Sequence, residues 1–127
     1  MTEPTWIDAR DALALHERLL SIYGGSEVLR DPALLESALA RPRQLRAYAE
    51  TSILIGLAAA YTFGLVRDHP FVDGNKRTGF IVGVLFFELN GREFTATEEG
   101  TAQAVLALAG AEIDEAGYAE FLHHCSR

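Results

Sequence analysis

The chain has 127 residues, 49% of them apolar, and a formal net charge of −7, with a pI near 5.0. That length makes one domain around one core, spanning 1–127. The acidic balance excludes a broad contact with a phosphate backbone, so no direct nucleic-acid partner is expected, while a small local basic pocket remains compatible with it. The single cysteine, Cys125, allows no internal disulfide, and Met1-Thr2-Glu3-Pro4 has neither a basic nor an apolar leader region. A reducing cytoplasm is the expected compartment.

The elements follow from caps and periodicity. Asp8 is placed to cap a first helix to about Tyr23, closed by Gly24-Gly25, with Ala12, Leu15, Leu19, Leu20 and Ile22 at helical spacing. Asp31-Pro32 opens a short helix to about Ala40, which Arg41-Pro42-Arg43 is expected to break. Residues 41–50 lack periodicity and read as a loop or a small exposed hairpin. Thr51 is placed to cap a helix to about Asp68, apolar nearly all round and therefore central. Pro70 ends that helix near Asp68 or His69. A second buried helix starts near Gly74 or Asn75 and ends at Asn90-Gly91. Gly91 to Thr95 reads as a short extended piece, Thr97 caps a helix to about Ala109, and Asp114 caps the last to about His124. The fold class is all-α, with five or six helices. The apolar runs 53–66 and 80–89 fall short of the roughly 20 residues that cross a bilayer, so no membrane role is expected.

The chemistry lies where the two most buried helices meet. Charge there is costly unless it is paired or used, yet Arg67, Asp68, His69, Asp73, Asn75, Lys76, Arg77 and Thr78 crowd into this short connection. The free amides of a helix starting near Asn75 form an anion site, and Gly74 lets a phosphate approach the backbone. Lys76 and Arg77 add full charges for phosphoryl oxygens. Asp73 suits a hard cation such as Mg²⁺ that also binds nucleotide phosphates. His69 is a base with an ordinary pKa near neutrality. The GxxxxGK[ST] phosphate loop and its preceding strand are absent, which rejects a P-loop kinase.

These residues resemble the Fic family, whose motif His-x-Phe-x-(Asp/Glu)-Gly-Asn-Gly-Arg-x-x-Arg lies between two central helices. The chain reads His69-Pro70-Phe71-Val72-Asp73-Gly74-Asn75-Lys76-Arg77-Thr78-Gly79-Phe80. Lys76 stands at the second glycine and Phe80 at the last arginine, departures typical of the Doc (death-on-curing) branch. Leu13 to His16, Gly24-Gly25, Leu29-Arg30-Asp31, Leu34 to Leu39 and Phe86 to Gly91 also fit that branch.

The resemblance implies a single Fic/Doc helical bundle with two central helices flanking the motif. It implies a toxin that transfers the γ-phosphate of ATP, with Mg²⁺, to a threonine of elongation factor Tu, blocking translation and paired with an antitoxin. His69 would be the general base and Asp73 the organiser of Mg²⁺ or phosphates. Arg67, Gly74, Asn75, Lys76 and Arg77 would bind the nucleotide. Residues 41–50, with Arg43, Arg46 and Tyr48, would form a flap docking the target by β-strand addition. Ile81 stands where the branch can carry an asparagine.

Alternative readings are an AMP transferase on the same scaffold, against which the missing last arginine counts, and a helical binding module without activity. Arg67 also suits plain compensation of a helix C-terminus. His16 reads as structural. Adjacent residues on a helix diverge by about 100°, so His123-His124-Cys125 is not a metal cluster. Thr95-x-x-x-Glu99-Gly100 formally matches an inhibitory Fic pattern but is short, and Thr97 already explains it as a helix start.

Overall fold

Short polar side chains set most of the helix starts. In the computed structural model, which describes residues 3–48 and 53–127, six helices run in order. They are α1 (Ala9–Tyr23), α2 (Pro32–Tyr48), α3 (Leu54–Asp68), α4 (Asn75–Leu89), α5 (Glu98–Ala109) and α6 (Glu115–His124). Asp8 accepts from the Asp11 amide at 3.0 Å while Asp11 accepts from the Asp8 amide at 3.1 Å, a reciprocal cap. Asp31 accepts from Ala33 at 2.9 Å, Thr97 from Gly100 at 3.0 Å and Asp114 from Gly117 at 2.8 Å. Each supplies an acceptor to amides that have no partner inside the helix. The start of α3 is different: its N-cap is Ile53, without a side-chain cap, and Thr51 lies outside the described residues.

The expected break at Arg41-Pro42-Arg43 does not occur. α2 continues through Pro42 to Tyr48, so the part of the expected loop or hairpin within 41–48 is helical, and residues 49–52 lie outside the described residues. An interior proline costs a helix about 3 kcal/mol. Burial opposes that cost: Pro42 is among the most deeply buried side chains, and α2 packs along α3. Arg41 next to it is tied to Glu115 of α6 and lies over the Phe63 ring of α3, 4.9 Å from its centre. Tertiary contact holds the helix where local propensity would end it.

α3 and α4 share the largest interface of the fold. Leu57, Ala58, Ala59, Ala60 and Tyr61 are all buried, as befits a helix surrounded on every side. Small residues let the two axes approach: a Cβ on Gly79 would lie 3.2 Å from the Thr62 carbonyl oxygen, and one on Gly83 would overlap Thr62 Oγ1 and lie 2.9 Å from the Ala58 carbonyl oxygen. Thr62 Oγ1 donates to the Gly79 carbonyl at 2.8 Å, stitching the pair. The Tyr61 hydroxyl accepts from the Ile7 amide at 2.9 Å and donates to the Ile7 carbonyl at 3.2 Å, anchoring the N-terminal segment. The extended piece expected near Thr95 is present: Phe94 pairs antiparallel with Ser126, and Glu93 and Arg127 exchange backbone hydrogen bonds at 3.1 and 2.9 Å. Among the described residues no helix is long and apolar enough to cross a membrane.

Gly83→Ala should cost about 1–3 kcal/mol, because the Ala58 carbonyl can yield only if the helices separate. Thermal unfolding measures this, and an unchanged midpoint would contradict so close an approach. Burial raises the phenol of Tyr61 above its ordinary 10.0 and pushes that of Tyr118 up to about 12. The unfolded chain therefore ionises first. Stability should hold below pH 10 and fall as pH rises toward 12. Urea midpoints across that range should decline less in Tyr118→Phe than in the wild type.

Candidate active site

The connection between α3 and α4 must reverse the chain within six residues while presenting charge to solvent. His69 closes α3 in the left-handed region, φ 51° and ψ 56°, its amide still reaching the Leu65 carbonyl at 3.3 Å. That conformation is uncommon for a residue with a Cβ and needs support. Arg30, in the α1–α2 connection, supplies it. Its Nε and Nη2 donate to the His69 carbonyl at 2.9 and 2.6 Å, and Nη2 donates to Asp68 at 3.0 Å. The guanidinium thus neutralises the carbonyl end of α3. Its backbone amide also bonds to Pro70 at 2.8 Å, and Val72 donates to the Val28 carbonyl at 3.1 Å. Residues 26–31 therefore lie along the motif as a strap.

The turn is fixed from within by Asn75. Its Nδ2 donates to the Phe71 carbonyl at 2.9 Å and its Oδ1 accepts from the Phe71 amide at 3.0 Å, both buried. The side chain expected at a phosphate is thus spent on the loop, and what Asn75 can offer an anion is its backbone amide. Behind the turn, His16 of α1 stacks on the Phe71 ring at 3.6 Å and 8°, with Nε2 2.7 Å from the Asp73 carbonyl oxygen. Asp73 Oδ2 accepts from the Ser26 amide at 2.8 Å. The strap comes so near that a Cβ on Gly25, whose φ is 118°, would lie 3.2 Å from Asp73 Cβ.

α4 starts at Gly74, φ 83°, with no side-chain cap. The amides of Asn75, Lys76 and Arg77 precede the first helical hydrogen bond, from Thr78 to the Gly74 carbonyl at 2.9 Å. These three residues line a cavity of about 850 Å³ together with His69, Asp73 and Gly74. Its other walls include Tyr23 and the apolar side chains of Phe80, Phe94, Val105 and Leu106. Arg77 lies 4.2 Å over the Tyr23 ring, which steers its cation along the rim. The site is a base on one side, an uncapped helix start with two cations on the other, and an aromatic wall beyond. Phe80 meets Phe94 edge-on at 5.5 Å, and Phe94 meets Phe121 at 6.1 Å.

Four expected residues lie elsewhere. Arg67 does not line the cavity; it lies in the last turn of α3, where it suits the helix-end compensation considered for it, and packs over Phe63 at 5.6 Å, with Arg30 adding to the charge at that helix end. Arg43 lies over the Trp6 ring at 5.3 Å. Arg43, Arg46 and Tyr48 are on α2, so the expected β-strand addition finds no extended edge at those positions. For Mg²⁺ the fit is limited. Among the described residues no group of three His, Cys, Asp or Glu converges on one point. Asp73 has one oxygen on Ser26 and the other without a hydrogen bond among the described residues. A single carboxylate of this kind suits Mg²⁺ that is bound together with nucleotide phosphates rather than alone.

Sequence reasoning did not assign roles to Arg30, Ser26 and Tyr23, and it read His16 as structural. A lone cation just before the Asp31-Pro32 helix start was the available signal for Arg30. The wall from α5 leaves no local signature. Asn75→Ala should cost about 2–4 kcal/mol, because it strands a buried amide and a buried carbonyl of Phe71. Denaturant unfolding tests this, and a change within about 0.5 kcal/mol, ordinary for a surface site, would show the clamp to be dispensable.

The sequence also matches known proteins. The chain is 32% identical over 116 residues to "Protein kinase doc" of Escherichia phage P1, covering 91% of each chain. It is 37% identical over 98 residues to "Toxin Doc" of Mycolicibacterium smegmatis, covering 76% of this chain and 71% of the relative. The model of the Fic/DOC family matches residues 6–87, from the segment before α1 through most of α4 and including the whole motif turn. The chain belongs to the Fic/DOC family.

Proposed function

We propose that this protein is a Doc-type toxin that phosphorylates a protein hydroxyl with ATP in the cytoplasm and is restrained by an antitoxin protein. The observation that carries the reading is that His69 and the uncapped start of α4 face one cavity. Lys76 and Arg77 lie at that helix start, and Phe80 one turn on adds no charge. The anionic end of a nucleotide is then drawn toward His69, which leaves the γ-phosphorus beside the base. The printed names of the phage and mycobacterial relatives, a kinase and a toxin, support the transferase and toxin parts. The target named by the resemblance, a threonine of elongation factor Tu, completes the proposal.

The step balances simply. The imidazole of His69 takes the proton of the target hydroxyl. The freed oxygen bonds to the γ-phosphorus as the bond from that phosphorus to the bridging oxygen breaks, and ADP leaves with the electron pair. The amides of Asn75, Lys76 and Arg77 and the two side-chain cations stabilise charge on the transferring group. Mg²⁺, held by the second oxygen of Asp73 and the phosphates, would neutralise further charge.

Elongation factor Tu incubated with the purified protein should incorporate label from γ-labelled ATP and none from α-labelled ATP. His69→Ala should reduce the rate by about 100-fold or more. Label from the α-phosphate would instead show AMP transfer. Absence of ATP binding at millimolar concentration in calorimetry would show a binding module.

A further inference from the structure

We infer that His16 is a positioning residue for the phosphate-binding turn, holding it through the carbonyl of Asp73. This deepens the proposed function and rests on it. His16 is 3% exposed and belongs to α1, far from the motif in sequence. It meets the turn at Phe71, Asp73 and Gly74. Its ring lies flat on Phe71, its Nε2 reaches the Asp73 carbonyl oxygen at 2.7 Å, and a Cβ built on Gly74 would lie 3.5 Å from its Cδ2 and Nε2. A carbonyl can only accept, so Nε2 carries the proton and donates it.

The consequence reaches the site through the backbone. The Asp73 carbonyl belongs to the same peptide unit as the Gly74 amide. Anchoring that carbonyl orients the peptide from which the helix-start amides follow, and it fixes the carboxylate of Asp73 against Ser26. Asn75 holds the turn at Phe71 and Arg30 holds it at His69. Among the described residues, the only side-chain hydrogen bond to the backbone between Val72 and Gly74 comes from His16. A histidine suits this place because it joins a flat aromatic face for Phe71 to an edge donor for the carbonyl. Phenylalanine offers only the face and glutamine only the donor.

The test uses full-length His16→Phe and His16→Gln beside the wild type, with folding checked by thermal unfolding. His16→Phe keeps the stack and removes the donor. Its KM for ATP should rise about tenfold with kcat also reduced, the size expected for losing one anchoring hydrogen bond, in protein that remains folded. His16→Gln, which can still donate to the carbonyl, should recover part of the KM. The ¹⁵N shifts of the wild-type imidazole should show Nε2 protonated. A folded His16→Phe with wild-type KM and kcat would overturn the inference while leaving the proposed function standing. A wild type that binds no ATP would overturn both.

Discussion

The turn between α3 and α4 keeps its shape because Asn75 gives both ends of its amide to the backbone of Phe71. This pair of bonds places the two buried helices in their hairpin and satisfies a buried amide and carbonyl that no helix could reach. It also defines where α4 starts, and with it the direction in which the free amides point. The phenyl ring of Phe71, thus fixed, becomes the surface on which His16 lies. The strap then adds Arg30 and Ser26 from the outer side. His69 and the uncapped start of α4 are consequently supported by four side chains or backbone groups drawn from three parts of the chain.

The supports resolve an electrostatic conflict. The chain carries a net charge of −7, and its two central helices, α3 and α4, bury ten and seven of their fifteen residues. An anion site needs positive potential, which the bulk charge opposes. The fold supplies it locally, from the start of α4 and from Lys76 and Arg77, and lines the far wall with Phe80 and Phe94. An apolar wall lowers the effective dielectric near those groups, so few charges suffice.

Much of this was legible in the sequence, and the parts that were not share a physical cause. Helix starts at Asp8, Asp31, Thr97 and Asp114 were readable because capping is a local interaction between neighbours in the chain. The two central helices were readable because their middle turns are almost wholly apolar in sequence. Pro42 misled because the local penalty was visible and the compensating burial against α3 was not. The spacing places Asn75 in the motif, but its side chain turns back to Phe71, which no spacing reveals. Arg30, His16 and the α5 wall act across the fold, and a sequence without tertiary contacts does not pair them with His69 or Asp73.

Whether the supported turn is the phosphate site is decided by a crystal structure of the protein with a non-hydrolysable ATP analogue and Mg²⁺. Phosphate oxygens should lie within hydrogen-bond distance of the Asn75, Lys76 and Arg77 amides, with the terminal phosphate nearest the imidazole of His69. An analogue whose α-phosphate faces His69, or whose phosphates lie away from the start of α4, would contradict it.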